Sequence, residues 1–200
     1  MIQISENKYQ NLLPKDGEVF YLPDFFTKEE NKRYYNALLQ KIEWQQDKIK
    51  LFGKTHDVPR LTALYGNADK PYTYSSITMK STAWLPELLE IKNKIEEVVK
   101  SDFTTVLLNL YRTGKDSMGW HSDDEKELGL NPLIVSVSFG ATRIFKLQHN
   151  NDKSLRQSLE LTDGSLLLMQ GQTQHFWKHA IPKTSKITEP RINLTFRVIQ

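Results

Sequence analysis

The sequence predicts a mostly β domain of α+β class, a sandwich or barrel of short strands with helices on its outside. Three observations carry that expectation. The second half of the chain contains five short β-like runs separated by Gly, Asn, Asp or Pro. The first half contains two stretches whose apolar residues recur at helical spacing. Nowhere do about 18 apolar residues follow one another, so no membrane-spanning helix competes with the globular reading.

In chain order, Glu18-Val19-Phe20-Tyr21-Leu22 reads as a strand and Pro23-Asp24 as the turn after it. Thr27 followed by Glu30 is the pattern of a capping box, and it opens a helix in which Tyr34, Leu38, Leu39 and Ile42 share a face. A second helix is expected from about Pro86 to Lys100: proline suits the first turn, and Leu88, Ile91, Ile95, Val98 and Val99 form a stripe. Between the two helices, residues 47–80 interleave Lys48, Lys50, Lys54, Arg60, Lys70 and Lys80 with Phe52, Tyr65, Tyr72 and Tyr74. Cations among aromatics grip phosphates and stack bases; the same composition fits a pair of ordinary β-hairpins with solvated lysines. The five β-like runs then follow, at residues 106–111, 133–139, 143–147, 165–169 and 191–197.

The composition narrows the chemistry. A chain of 200 residues with 38% hydrophobic and 26% charged residues suits one domain with a substantial core, and a formal charge of +3 tolerates nucleic acid as a partner without demanding it. The absence of cysteine excludes disulfides, thiolate nucleophiles and sulfur-ligated metals, so a metal must be held by nitrogen and oxygen. Residues 1–8 lack a basic segment followed by an apolar run, which predicts a cytoplasmic protein with no membrane association.

Among the 5 histidines, His121 stands two residues before Asp123 in Gly119-Trp120-His121-Ser122-Asp123-Asp124-Glu125. In extended backbone the two side chains point the same way, and with a distant histidine they make a 2-His-1-carboxylate set that leaves positions open on Fe(II). Alone, His-x-Asp equally describes a solvated acidic loop. For the second histidine, His175 and His179 would share a face of an extended chain, so spacing does not choose between them. On the last run, Arg191, Asn193, Thr195 and Arg197 fall on one face, with Ile192, Leu194 and Phe196 on the other. Such a polar face meets water, or it lines a cavity where two arginines clamp an organic dicarboxylate through charge-assisted bonds. Asn109 and Tyr111 repeat the spacing on the run leading to His121 and can add hydrogen bonds to such an acid.

His121-x-Asp123, His179, Arg191 and Arg197 together resemble the AlkB family of 2-oxoglutarate- and Fe(II)-dependent dioxygenases. The resemblance runs from about residue 47 to the end of the chain. It includes Leu51-Phe52-Gly53-Lys54, Val58-Pro59-Arg60, Tyr65-Gly66, Tyr72-Thr73-Tyr74-Ser75, the 135–141 segment and the 190–197 segment, which look like the nucleic-acid repair branch. It implies a single catalytic domain over 1–200, with a double-stranded β-helix (jelly-roll) core over about 103–200 and a nucleotide-recognition lid over about 47–80. It assigns Fe(II) to His121, Asp123 and His179, and 2-oxoglutarate to Arg191 and Arg197 with Asn109, Tyr111 and Thr195. It places Phe52 as an aromatic finger that fills the gap left by a flipped base. Tyr72, Tyr74, Asp124 and Glu125 would contact that base, and Arg60 belongs to the same substrate-binding set. The implied reaction is O2- and 2-oxoglutarate-coupled demethylation of 1-methyladenine and 3-methylcytosine in single- or double-stranded DNA, with release of formaldehyde. The implied enzyme is a monomer, nucleoid-associated if bacterial. The rival expectations are an RNA demethylase or hydroxylase with the same iron centre, and a non-catalytic nucleic-acid-binding module.

Overall fold

The computed structural model describes residues 10–51, 53–67, 72–74, 77–79 and 81–200. In chain order the strands and helices are β1 (Glu18–Leu22), α1 (Lys28–Lys41), β2 (Lys48–Leu51), β3 (Lys54–Asp57), β4 (Leu61–Gly66), β5 (Tyr72–Tyr74), β6 (Ile77–Met79), α2 (Pro86–Val99), β7 (Thr105–Tyr111), β8 (Met118–His121), β9 (Ile134–Gly140), β10 (Arg143–His149), β11 (Arg156–Leu161), β12 (Ser165–Gln170), α3 (Thr173–Phe176), β13 (Trp177–Ile181) and β14 (Arg191–Arg197). Among the described residues, no helix is long and apolar enough to cross a membrane.

Both long helices start where the sequence places them. Thr27 Oγ1 accepts the Glu30 amide at 3.2 Å while a Glu30 carboxylate oxygen accepts the Thr27 amide at 2.8 Å, satisfying two amides that helical bonding leaves unpaired. Helix α2 begins on Pro86 and buries Leu88, Ile91, Ile95 and Val99 almost completely. Each of those side chains contributes about 2 kcal/mol by leaving water. Leu39, expected on the buried stripe of α1, is 38% exposed, because the contact face narrows to Asn31, Tyr34 and Leu38.

The strands form two facing sheets. A six-stranded sheet has the order β1-β12-β9-β14-β7-β4, and a four-stranded sheet has the order β11-β10-β13-β8. From β7 onward the chain winds between them: β7, β9, β12 and β14 lie in the large sheet, and β8, β10, β11 and β13 in the small one. This is the double-stranded β-helix, with β1 and β4 extending the large sheet at its two edges. Strand β4 lies inside the 47–80 segment, so part of the expected lid is built into the main sheet by pairing with β7. The flanking parts are two hairpins, β2–β3 and β5–β6.

Alternation then sorts the side chains. On the outer face of the large sheet, Val106, Leu108, Leu110, Val135, Val137, Ile192, Leu194 and Phe196 pack with residues of α1 and α2 in one apolar cluster. A second cluster, including Ile134, Phe145, Leu147, Leu161, Met169, Trp177 and Ile181, fills part of the space between the sheets. Strand β11 is absent from the sequence reading. Its residues Arg156-Gln157-Ser158-Leu159-Glu160-Leu161 are largely exposed on a sheet edge, so they carry almost no hydrophobic alternation.

Candidate active site

The polar face of β14 does not meet water. Arg191, Asn193, Thr195 and Arg197 are 1%, 7%, 7% and 3% exposed, and all four line a cavity between the sheets. Pairing sets their neighbours: Arg191 lies between Tyr111 and Gly140, Asn193 between Asn109 and Ser138, and Thr195 between Leu107 and Ser136. From the small sheet, Met118, His121, Phe145, His179 and Ile181 face the same cavity.

His121, Asp123 and His179 converge there, each offering a ligand atom within 4.8 Å of the others. His121 and His179 sit opposite each other on β8 and β13, with ring centroids 4.2 Å apart. Two residues further along β13, Ile181 pairs with Met118 rather than with Gly119, so β8 carries one extra residue in a bulge. The bulge lets Met118 and His121 both face the cavity although they are three apart, while Trp120, next to His121, faces outward by alternation. His175 takes no part: it is exposed, because residues 173–176 form a helical turn instead of continuing the strand.

Hydrogen bonds orient His121 and Asp123, whereas His179 Nδ1 is buried without a hydrogen-bond partner among the described residues. His121 Nδ1 lies 2.9 Å from the Gly119 carbonyl oxygen, which requires the proton on Nδ1 and leaves Nε2 as the lone-pair donor, 3.6 Å from Asp123 Oδ1. Asp123 Oδ2 accepts from Arg197 Nη2 at 3.0 Å, its backbone amide donates to Gln174 Oε1 at 2.9 Å, and Ser122 Oγ donates to the Trp177 carbonyl at 3.1 Å. Asp123 Oδ1 is buried without a hydrogen-bond partner among the described residues. Burial by itself would raise the Asp123 pKa, but the charge of Arg197 and the hydrogen bond it donates outweigh it and hold the carboxyl well below the usual range. Burial and the neighbouring His121 pull His179 down to about 3, so its imidazole is neutral. An ionised carboxylate with a free oxygen, the neutral His179 imidazole and His121 Nε2 form an N2O donor set that fits a divalent iron ion and leaves coordination positions open.

Deeper along β14 the site fits an anion. Arg191 Nη2 donates to Ser138 Oγ at 2.9 Å, whereas Nε and Nη1 are buried without a hydrogen-bond partner, and the guanidinium makes no salt bridge among the described residues. Burial lowers its pKa to about 10, still far above neutrality. A cation so enclosed is costly unless a counter-charge reaches it. Asn193 Nδ2 donates to Ser136 Oγ at 2.7 Å, and Thr195 Oγ1 to Asn193 Oδ1 at 3.2 Å. Ser136 and Ser138 are missing from the expected site, although Val135-Ser136-Val137-Ser138-Phe139 shows the same period of two as the arginine strand.

The two expected dicarboxylate arginines therefore differ: Arg191 stands beside Ser138 and Tyr111, while Arg197 is bonded to the candidate metal-ligating carboxylate. Arg60 is buried, and its Nε donates to Asn109 Oδ1 at 2.6 Å, leaving the Asn109 amide NH2 as a donor to the cavity. Beyond Arg60 a groove of about 230 Å³, lined by Asp47, Ile49, Pro59, Trp120 and others, meets the cavity at Met118 and His121. Asp124 is exposed and Glu125 half-buried on the loop after Asp123, and neither lines the cavity or this groove. Phe52 lies outside the described residues, and Tyr72 and Tyr74 are described only as backbone of β5.

Comparison with known proteins agrees with this geometry. Residues 18–197 match the model of the 2OG-Fe(II) oxygenase superfamily. The chain is 44% identical over 192 residues to the alpha-ketoglutarate-dependent dioxygenase alkB homolog 3 of Bos taurus, covering 92% of this chain and 66% of that protein. It is 42% identical to the Homo sapiens protein of the same name, covering 97% and 71%. To the DNA oxidative demethylase ALKBH2 of Homo sapiens it is 38% identical over 184 residues, covering 87% and 70%. The chain thus spans about two thirds of the length of these relatives. Among solved structures, "The structure of OsALKBH1" superposes with a TM-score of 0.58 at 17% identity, covering 90% of this chain and 96% of that one, a likeness of fold.

Proposed function

Because this chain belongs to the 2OG-Fe(II) oxygenase superfamily, with AlkB homologues among its relatives, we propose that it oxidatively demethylates N-alkylated bases such as 1-methyladenine and 3-methylcytosine in DNA. The observation that carries the reading is the meeting, in one cavity, of the His121, Asp123 and His179 donor set with the buried Arg191 guanidinium that lacks a salt-bridge partner among the described residues.

His121, Asp123 and His179 would hold Fe(II), which when bound supplies the activation of O2 that the decarboxylation of 2-oxoglutarate drives. The protein's own part is orientation. Gly119 keeps the proton on His121 Nδ1, and Arg197 takes one oxygen of Asp123 so that the other is presented to the metal. Arg191, with Ser138 and the Asn109 amide, supplies donors to the dicarboxylate; a fork of two N–H groups matches a carboxylate in a way an ammonium does not. Phe145 and Ile181 give the cavity apolar walls that limit water around the reacting groups.

The target atom of a paired base is unreachable in the stack, so the base must be turned out of its strand toward His121. We assign that task to the 47–80 segment, with Phe52, Tyr72 and Tyr74 as aromatic contacts and Asp124 and Glu125 as acidic ones. Negative charge there suits a base that alkylation has made cationic. Formaldehyde and succinate released from methylated oligonucleotides test the proposal, using single-stranded and duplex DNA and matched RNA with Fe(II) and 2-oxoglutarate. Demethylation of DNA supports it; demethylation confined to RNA would redirect the substrate, and turnover of 2-oxoglutarate without loss of methyl from any nucleic acid would remove it.

A further inference from the structure

We propose that Trp120 and Lys178 form a strand-binding subsite outside the metal cavity, where a nucleotide flanking the alkylated base stacks on the indole and its phosphate meets the ammonium. The inference rests on the reading of the chain as a nucleic-acid oxygenase and adds a position to it.

Strand alternation beside an inward histidine is the structural cause. With His121 facing in, its strand neighbour Trp120 faces out by alternation, so an indole 46% exposed sits one residue from a candidate metal ligand. The other large apolar side chains exposed among the described residues are Leu39, Leu89, Leu130 and Ile144, so Trp120 is the aromatic one. It belongs to none of the apolar clusters of the core. Its ring lines the groove that joins the cavity at Met118 and His121, which is where a strand leading to a base at His121 must pass.

Positive charge gathers beside the ring. Lys178 Nζ stands 5.7 Å from the indole centroid, projected from β13 on the outer face of the small sheet because His179 faces in. Across that face Lys178 pairs in register with Gln148, and Gln148 with Arg156. Lys153, in the turn before β11, has its pKa held down by desolvation and then by the nearby charges of Lys178 and Arg156. Lys178 thus stands beside an exposed aromatic, with two further cations, Lys153 and Arg156, near it on the same face of the small sheet. This arrangement is complementary to a polyanion carrying flat bases. Stacking serves any base, so the subsite adds affinity without sequence preference.

The test uses the iron-loaded enzyme and one 1-methyladenine presented as a 5′-monophosphate and within a single-stranded pentanucleotide. The wild type is expected to show a KM for the pentanucleotide about tenfold below that for the monophosphate. Trp120→Ala should erase most of that gain while shifting the monophosphate KM less than twofold, and Trp120→Phe should restore it. Lys178→Ala should reduce the slope of log affinity against log salt by about one. Binding of the pentanucleotide by fluorescence anisotropy, with 2-oxoglutarate and without O2, separates the subsite from the chemistry. Lower affinity in Trp120→Ala supports the subsite even if no methylated substrate turns over, an outcome that would count against the demethylase reading alone. Equal pentanucleotide affinity and KM in wild type and Trp120→Ala would overturn the subsite whatever the turnover.

Discussion

At the scale of the residue, Arg191 and Arg197 divide what the sequence treats as one clamp. Arg191→Lys keeps the charge but loses the planar fork, so the KM for 2-oxoglutarate is expected to rise about 10- to 100-fold, with metal affinity little changed, as read by succinate release and by anaerobic metal titration. An equal loss in both measurements would show that Arg191 supports the fold of the site instead of the co-substrate. Asp116 gives a prediction about pH. Burial raises its pKa, but Arg112, which donates through Nε at 2.7 Å and Nη2 at 2.9 Å, outweighs burial and holds the carboxyl below the usual carboxylate range. A depressed carboxylate stabilises the fold above its unfolded pKa and loses that contribution as pH falls through the folded one. Urea unfolding should therefore place Asp116→Asn about 1 kcal/mol below wild type at pH 7, the two converging as pH falls below about 3.8. A gap that persists unchanged into acid would assign the loss to packing.

At the scale of the element, the turn from β9 to β10 shows how backbone geometry positions the site. Gly140 has φ +88°, and a Cβ there would lie 2.6 Å from the Pro190 carbonyl oxygen and 2.7 Å from Tyr35. Gly140 is paired directly with Arg191, so the close approach sets where β14 begins. Gly140→Ala is expected to cost at least about 1 kcal/mol through the left-handed backbone and to raise the KM for 2-oxoglutarate by shifting Arg191. A variant with unchanged stability and KM would show that the turn yields without moving the strand. The elements were unequally legible. Thr27, Glu30 and Pro86 announce their helices because caps act within one turn, and β14 is readable to the residue because both its faces are buried by different partners. Strand β11 is silent because an exposed edge has no apolar face to display.

At the scale of the whole molecule, the two sheets create a cavity whose binding energy is linked to folding. A metal or dicarboxylate that binds the native cavity and not the unfolded chain stabilises by mass action. Fe(II) or Mn(II) at about a hundredfold excess over Kd should raise the melting temperature by about 5–10 °C, and chelation should reverse it. The same shift in Asp123→Ala would show that the stabilising ion sits elsewhere.

The residues alone determined the sheet-rich class, the two amphipathic helices, the restriction to nitrogen and oxygen ligands, and an alternating arginine strand beside a His-x-Asp pair. These are properties of spacing and composition, which the chain carries locally. Spacing left His175 and His179 equal and the family resemblance chose His179; the tertiary structure supplies the physical reason, a helical turn ending at Phe176 and the pairing of β13 with β8. The tertiary structure alone brought Ser136, Ser138 and Gln174 to the site and left Trp120 uncovered by any other element among the described residues. His121 and His179 are 58 positions apart, and the bulge that aims one of them arises from a mismatch between two strands. Register between distant strands is fixed by the packing of the whole sheet, and no single segment contains it.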